Sequence, residues 1–443
     1  MKSRYLHIPV AEQHALAGNA VAIATAEVSF TGLPQADPPL MPRDCAVFLL
    51  QLAAEVEHAL LVQYLYAAFS LDPSAAGVSG TAFKDIFTTA QEEMGHLMTV
   101  QNVLLALGEA PSLCREDMPV DTSFYPFPLM LEPVSKSSLA KYVLAEMPDG
   151  GLSPDKLSQV RADAGCSGSF PVNQVGHLYQ AITGSLQGGD AIIDASSVEF
   201  QGDPADWGAG SPSVTRNHNG DPTQVGPGIF VARIRTKAEA IDALKIIALQ
   251  GEGAAGACGP DSHFERFLEV YESAVLAPGS ISLAVPTHPN TRANPSADEY
   301  QGTITNKMSR LWAQLLNSRY RMLLAYIGHY LVTGQGAHGR RKLADSAFDE
   351  MSNITTLAQH IVTLDRTAAP GDGKAGPPFE MPYTLQMPTR SINRWRMQQD
   401  LVNNSYELKT KIAATQGDPK NVLGRLSDDA ARLAMINESI AAS

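Results

Sequence analysis

The sequence predicts an all-α protein: a metal-carrying four-helix bundle with long irregular insertions, followed by a second helical domain. Three observations predict it. Glu93, Met94, Gly95 and His96 form a Glu-x-x-His motif inside a long helical stretch. Positions i and i+3 share one helix face, so this carboxylate and imidazole can grip one ion. Two long stretches of helical periodicity follow each other with a short connection, as in an antiparallel helix pair. Further ligand-type residues, Glu57, His177, Glu252 and His263, then recur in bundle order along the chain.

Residues 1–40 form a Pro- and Ala-containing lead-in. Helix one is expected over 42–71. Leu49, Leu50, Ala53, Val56, Leu60, Tyr64 and Ala67 keep steps of three or four, and Asp72-Pro73 ends it. Helix two runs over 81–107 and stops at Gly108, a normal C-terminal glycine. Residues 109–169 are proline-rich and irregular, interrupted by a short helix over 137–146. Helix three is expected over 171–186, and 187–229 reads as a long loop or small β insertion. Helix four covers 236–250 and resumes over 263–273 after a glycine-rich interruption. The domain reading is 1–40 lead-in, 41–275 metal-binding domain, 276–300 linker and 301–443 C-terminal helical domain. Helices there are expected over 298–332, 340–365, 390–414 and 423–441.

The net charge is −13 with no basic tract, which argues against nucleic acid or an anionic membrane as partner. Small molecules and proteins remain, a second copy of the chain included. No apolar run is read as approaching the roughly 18–20 residues of a membrane span. Pro9, Glu12 and Gln13 break the N-terminal stretch, so no signal peptide is read and a cytoplasmic protein is expected. The cysteines Cys45, Cys114, Cys166 and Cys258 are scattered without a Cys-x-x-Cys, so neither a disulfide framework nor a thiolate zinc site is expected. Cys258, between Glu252 and His263, reads as a spectator loop thiol.

Glu57 shares a helix face with Leu61 and Tyr64. A Glu there is costly unless paired or metal-bound; the alternative is a Glu at the margin of the stripe. His58, a quarter-turn on, reads as a surface or supporting group, and Glu92 as solvated. Phe87, Ala90, Met94, Leu97, Val100 and Leu104 make helix two apolar over a wide face, as burial in a bundle requires. Ten residues separate Glu252 from His263, more than a regular helix allows, unless the glycine-rich stretch bulges out. Taken alone, His177 reads as a core histidine. Tyr64, Tyr125 and Tyr179 are either supporting groups or ordinary core tyrosines. The string Glu92-Glu-Met-Gly-His-Leu-Met-Thr can be laid on Asp349-Glu-Met-Ser-Asn-Ile-Thr-Thr. Glu350 then falls on Glu93, Asn353 on His96, Tyr326 on Tyr64 and Arg319 near Glu57. The match is either a degenerate repeat that has lost its histidine or chance similarity of two amphipathic helices.

Several strings resemble one family: residues 54–66 (Ala-Glu-Val-Glu-His-Ala-Leu-Leu-Val-Gln-Tyr-Leu-Tyr), residues 92–102, Phe124-Tyr-Pro-Phe-Pro, Leu144-Ala-Glu-Met-Pro, Gln250-Gly-Glu-Gly and Ser262-His-Phe-Glu-Arg-Phe. It is the ferritin-like domain family that includes the iminophenylpyruvate-dimer synthases of violacein and rebeccamycin biosynthesis. The likeness covers about 42–275, and Ala375-Gly-Pro-Pro-Phe-Glu resembles its C-terminal extension. It implies a ferritin-like bundle with a carboxylate-bridged dinuclear metal centre: Glu57, Glu93 and His96 in one half, Glu252 and His263 in the other. The family pattern has Glu where this chain is read to have His177, implying a three-Glu, three-His set. Such a set implies either unequal occupancy, with the Glu57/Glu93/His96 half tighter, or a single ion. Iron suits a mixed carboxylate and imidazole site with open positions, with manganese or zinc as alternatives. The expected function is an O₂-dependent oxidase or oxygenase acting on an amino-acid-derived small molecule in secondary metabolism. Non-redox imine coupling or hydrolysis, and a non-catalytic metal-binding or partner protein, are the rival readings.

Overall fold

A computed structural model describes residues 40–71, 78–117, 125–127, 129–165, 174–188, 190–208, 210, 212–252, 261–273, 285–293, 300–369, 371–382, 384–415 and 417–442. Helix dominates the described residues, whose only strands form one short two-stranded ribbon. Helices α1 (Pro42–Phe69) and α2 (Val78–Ala106) pack along each other. The short helix α3 (Lys136–Glu146) starts at a capping box in which Ser135 and Ser138 satisfy each other's backbone N–H. It ends where Met147 turns extended, just before Pro148. Helix α4 (Pro154–Asp163) follows, then α5 (Val175–Gln187), α6 (Lys237–Glu252) and α7 (His263–Glu272). Helix α5 lies between α1 and α6, while α3 packs on α7. Cys166, Cys258 and the glycine-rich stretch between Glu252 and His263 fall outside the described residues.

Two expectations need correction. Helix α4 was expected as part of an irregular stretch, because Pro154 reads as a breaker. Here Pro154 opens the helix, where its missing N–H costs nothing, and Ser153 caps it. Helix α1 is, by length and composition, apolar enough to cross a membrane, against the expectation that no such run exists. In the bundle its apolar residues are spent on neighbouring helices, and Glu57 and His58 lie buried among them.

The 187–229 segment contains a 3₁₀ turn and an antiparallel two-stranded ribbon, β1 (Val214–Arg216) and β2 (Pro222–Val225), with Val214 opposite Val225. The chain that leaves it lies against α2. Thr99 Oγ1 donates to Phe230 O at 3.1 Å, and Asn102 Nδ2 donates to Gly202 O and Ala232 O. A Cβ at Gly95 would stand 2.7 Å from Phe230 O. The glycine inside the Glu-x-x-His motif thus admits this close backbone approach.

The second lobe is a bundle of α8 (Lys307–Tyr330), α9 (Arg340–Ile361), α10 (Ser391–Ala414) and α11 (Asp429–Ala441). Its core holds charge. Arg319 Nη1 lies 3.2 Å from Glu350 Oε1, and Arg319 Nη2 lies 2.6 Å from Asp429 Oδ1. Arg432 Nη1 reaches the same Glu350 oxygen at 3.5 Å, and Asn353 Nδ2 donates to Glu350 Oε2 at 3.0 Å. Arg319 and Glu350 are fully buried. Removing one partner of a buried pair strands the other's charge, at a cost of about 3–5 kcal/mol. Arg319→Ala is therefore expected to lower unfolding stability by about that amount, read by denaturant titration. A change below about 1 kcal/mol, the range of exposed pairs, would show that the cluster is solvated.

Candidate metal centre

Glu57 on α1, Glu93 and His96 on α2, Glu146 at the end of α3 and His263 at the start of α7 meet in the core of the first lobe. Each is at most 2% exposed. They form two triads that share Glu93: Glu57, Glu93 and His96, and Glu93, Glu146 and His263. Within each triad one ligand-type atom per residue lies within 4.8 Å of the others. The shared carboxylate spans them. Glu93 Oε2 is 2.8 Å from His96 Nδ1, and Glu93 Oε1 is 3.1 Å from His263 Nδ1. The two imidazoles stack with centroids 5.4 Å apart.

Each ligand-type group has a support behind it. Tyr179 Oη donates to Glu57 Oε1, and Tyr64 Oη donates to Glu146 Oε1 at 2.6 Å. His96 Nε2 lies 2.9 Å from Gln250 Oε1, and His263 Nε2 lies 3.1 Å from Glu92 Oε2. Glu92 was expected in solvent. It is buried instead, held by Arg266 Nη1 at 2.6 Å and by the Gly228 N–H at 2.7 Å. Tyr64 and Tyr179 thus support the cluster, while Tyr125 is buried but does not line the cavity.

His177 does not join the cluster. It projects from α5 toward Asp149, 3.2 Å away and mostly exposed. Gly176 and Tyr179, three apart on α5, line the cavity. His177 is two residues from Tyr179, about 200° round the helix, and so faces outward. Glu146 holds the place expected for it, and the set becomes carboxylate-rich rather than three Glu with three His. The signal was present as the Glu of Leu144-Ala-Glu-Met-Pro148. Glu252 lines the same cavity without entering either triad. A Cβ at Gly176 would stand 1.9 Å from Glu252 Oε1, and one at Gly251 would stand 2.9 Å from Glu146 Oε2. Both glycines make room for carboxylates.

The electrostatics fit cations. Burial, then the Glu93 charge, raises Glu57 to about 8, and burial, then the Glu146 charge, raises Glu252 to about 8. Burial would lower His96, but the Glu93 carboxylate outweighs it and raises the imidazole to about 10. Burial likewise opposes His263, which Glu93 and its neighbours raise well above its usual value. Burial also opposes Glu93, whose carboxyl is held far below its usual range by the charges of His263 and His96. Two protonated imidazoles therefore balance the carboxylates. Glu57 Oε2 and His263 Nδ1 are buried without a hydrogen bond. One belongs to each triad. Carboxylate oxygens and imidazole nitrogens at this spacing suit one or two transition-metal ions. The residues therefore fit a metal centre.

The fold and this donor set define a helical-bundle protein with a buried carboxylate–imidazole cluster. The chain belongs to the ferritin-like family, whose model matches residues 50–272. It is 24% identical over 382 residues, 77% of the chain, to the dichlorochromopyrrolate synthase of Lentzea aerocolonigenes. It is 25% identical over 371 residues, 75% of the chain, to the 2-imino-3-(indol-3-yl)propanoate dimerase of Chromobacterium violaceum. The matches span 36% and 33% of those relatives, so the chain corresponds to about a third of their length. A solved ferritin-like protein from Caulobacter vibrioides is 17% identical, with a TM-score of 0.42 over 73% of this chain and 96% of that one.

Two predictions follow from the geometry. His177→Ala is expected to leave bound metal unchanged and Glu146→Ala to reduce it, by elemental analysis; the reverse result would restore His177 to the site. The second concerns pH in the metal-free protein. The folded state keeps the His96 and His263 protons, which the unfolded chain releases near 6.5, and the Glu57 and Glu252 protons, which it releases near 4.5. Above 6.5 the folded form therefore binds more protons at these groups, and stability falls as pH rises. The His96 contribution is complete below 6.5 and lost as pH rises through about 10, and His263 acts in the same direction. The melting temperature is expected to drop across that window, and added metal, which replaces those protons, is expected to restore more of it at pH 9 than at pH 6. A flat profile would contradict this.

Proposed function

We propose that the first lobe holds a dinuclear metal centre, with iron as the resident metal, and serves an O₂-dependent oxidation of an amino-acid-derived small molecule. The observation that carries the reading is Glu93, whose two oxygens face one imidazole each while Glu57 and Glu146 flank the halves. Bound iron would supply the electrons for O₂. This chain's residues do the rest. Glu57, Glu93, His96, Glu146 and His263 would hold the metal, and the carboxylates would neutralise its charge. Tyr64 and Tyr179 fix the carboxylates, and the surrounding helices keep bulk water out. The C. violaceum relative is named for an indole-bearing imine of a 2-oxo acid skeleton, which supports an aromatic amino-acid-derived imine as substrate class.

That relative is also named a dimerase, which favours a second reading, metal-assisted coupling of imines without net redox change. One experiment separates them. Anaerobic Fe(II) titration of the metal-free chain is expected to saturate at two ions, and O₂ is then expected to produce a new visible absorption. Binding without any O₂-dependent change favours the coupling reading. His96→Ala is expected to lose at least one ion per chain. Unchanged metal content in that variant would remove the centre from consideration.

A further inference from the structure

We infer that the two halves of the centre are unequal and that the half built on His263 takes the first metal ion. This rests on the metal reading above and runs opposite to the order expected from His177.

The halves match in most respects. They share Glu93. Each has one further carboxylate, and each of those accepts a hydrogen bond from a fully buried tyrosine, Tyr179 on Glu57 and Tyr64 on Glu146. The acceptor behind the imidazole is what differs. His96 Nε2 faces an amide oxygen, Gln250 Oε1 at 2.9 Å, and His263 Nε2 faces a carboxylate oxygen, Glu92 Oε2 at 3.1 Å.

Neither acceptor can be exchanged by a flip. Gln250 Nε2 donates to Gly226 O at 3.1 Å and Gly228 O at 2.9 Å, which forces its oxygen toward His96. Glu92 is pinned on its other side by Arg266 and the Gly228 N–H. Both imidazoles must therefore donate through Nε2 once a metal holds Nδ1. A charged acceptor draws more on that N–H than a neutral amide does and makes the distal nitrogen a stronger ligand. Arg266 shares Glu92 Oε2 with His263 and tempers the effect without making the acceptor neutral. The Glu146/His263 half is the stronger site.

The test is stepwise Co(II) titration of the metal-free full chain, read by visible absorption and calorimetry. Repulsion between two ions already separates the steps, so the order decides. His263→Ala should abolish the tighter step, and His96→Ala should retain it. Glu92→Gln should weaken the tighter step by about tenfold, the low end of what outer partners contribute, and spare the weaker one. Should Glu92→Gln not fold by circular dichroism, the two histidine variants decide alone. Loss of the tighter step in His96→Ala, or unchanged steps in a folded Glu92→Gln, would overturn the inference while leaving the metal reading intact. Failure of the wild-type chain to bind Co(II) would remove both.

Discussion

A carboxylate in the middle of a helical bundle is the constraint on which the structure depends. Burying Glu93 away from water costs several kcal/mol or more unless opposite charge stands beside it. The first lobe answers with two imidazoles from different helices, one on each carboxylate oxygen. Those imidazoles need acceptors on their far nitrogens, which brings Gln250 and Glu92 into the core. Glu92 in turn needs Arg266. One buried charge thus dictates residue types on α2, α6 and α7, and each added layer is less apolar than an ordinary bundle core.

The second lobe solves the same problem with guanidinium groups. Glu350 takes Arg319 across both oxygens and Arg432 on Oε1, where Glu93 takes one imidazole on each oxygen. Asn353, three residues after Glu350 as His96 is after Glu93, donates to the carboxylate it follows. Asp429 and Arg432, also three apart, face the cluster from α11. In both halves the aligned Glu is buried with its i+3 residue at hydrogen-bond distance. A planar guanidinium is permanently charged and forks onto carboxylates, so it can supply the counter-charge without an exchangeable ion.

Much of this was legible in the sequence, for stated reasons. Glu57, Glu93 and His96 lie on long helices whose apolar periodicity fixes which way each residue points. His263 was legible because the helical pattern resumes at it after the glycine-rich interruption, and in the structure Ser262 caps that helix by accepting from the Glu265 N–H. Glu146 stands in the Leu144-Ala-Glu-Met-Pro148 string, but periodicity could not mark it, because it sits in the last turn of a short helix with too few turns to set a phase. His177 misled because the helix over Val175–Gln187 was expected, four residues early at its start, but its phase was not. Gly176, which marks the inward face, looks like a helix-weakening residue when its neighbour Glu252 is unseen. Glu92 was read as solvated because the sequence does not show that residues 228–232 cover that side of α2.

That covering segment and the second lobe show how distant chain fixes the centre. Gly228 supplies both an N–H to Glu92 and a carbonyl to Gln250, so one turn after the β ribbon sets the supports of both imidazoles. On the opposite side, His58 sits next to Glu57. Its Nδ1 lies 2.9 Å from Leu113 O, and its Nε2 lies 2.6 Å from the Tyr320 hydroxyl of the second lobe. Burial, then the Arg115 charge, lowers His58 to about 3 and keeps it neutral. A neutral imidazole with Nδ1–H on the carbonyl must accept from Tyr320 at Nε2, so the bond has one sense. Arg115 also donates to Tyr320 and to the Phe379 carbonyl. The rotation of α1 about its axis, and with it the direction of Glu57, is therefore braced from the second lobe. The second bundle thus touches α1 directly, at the residue next to Glu57.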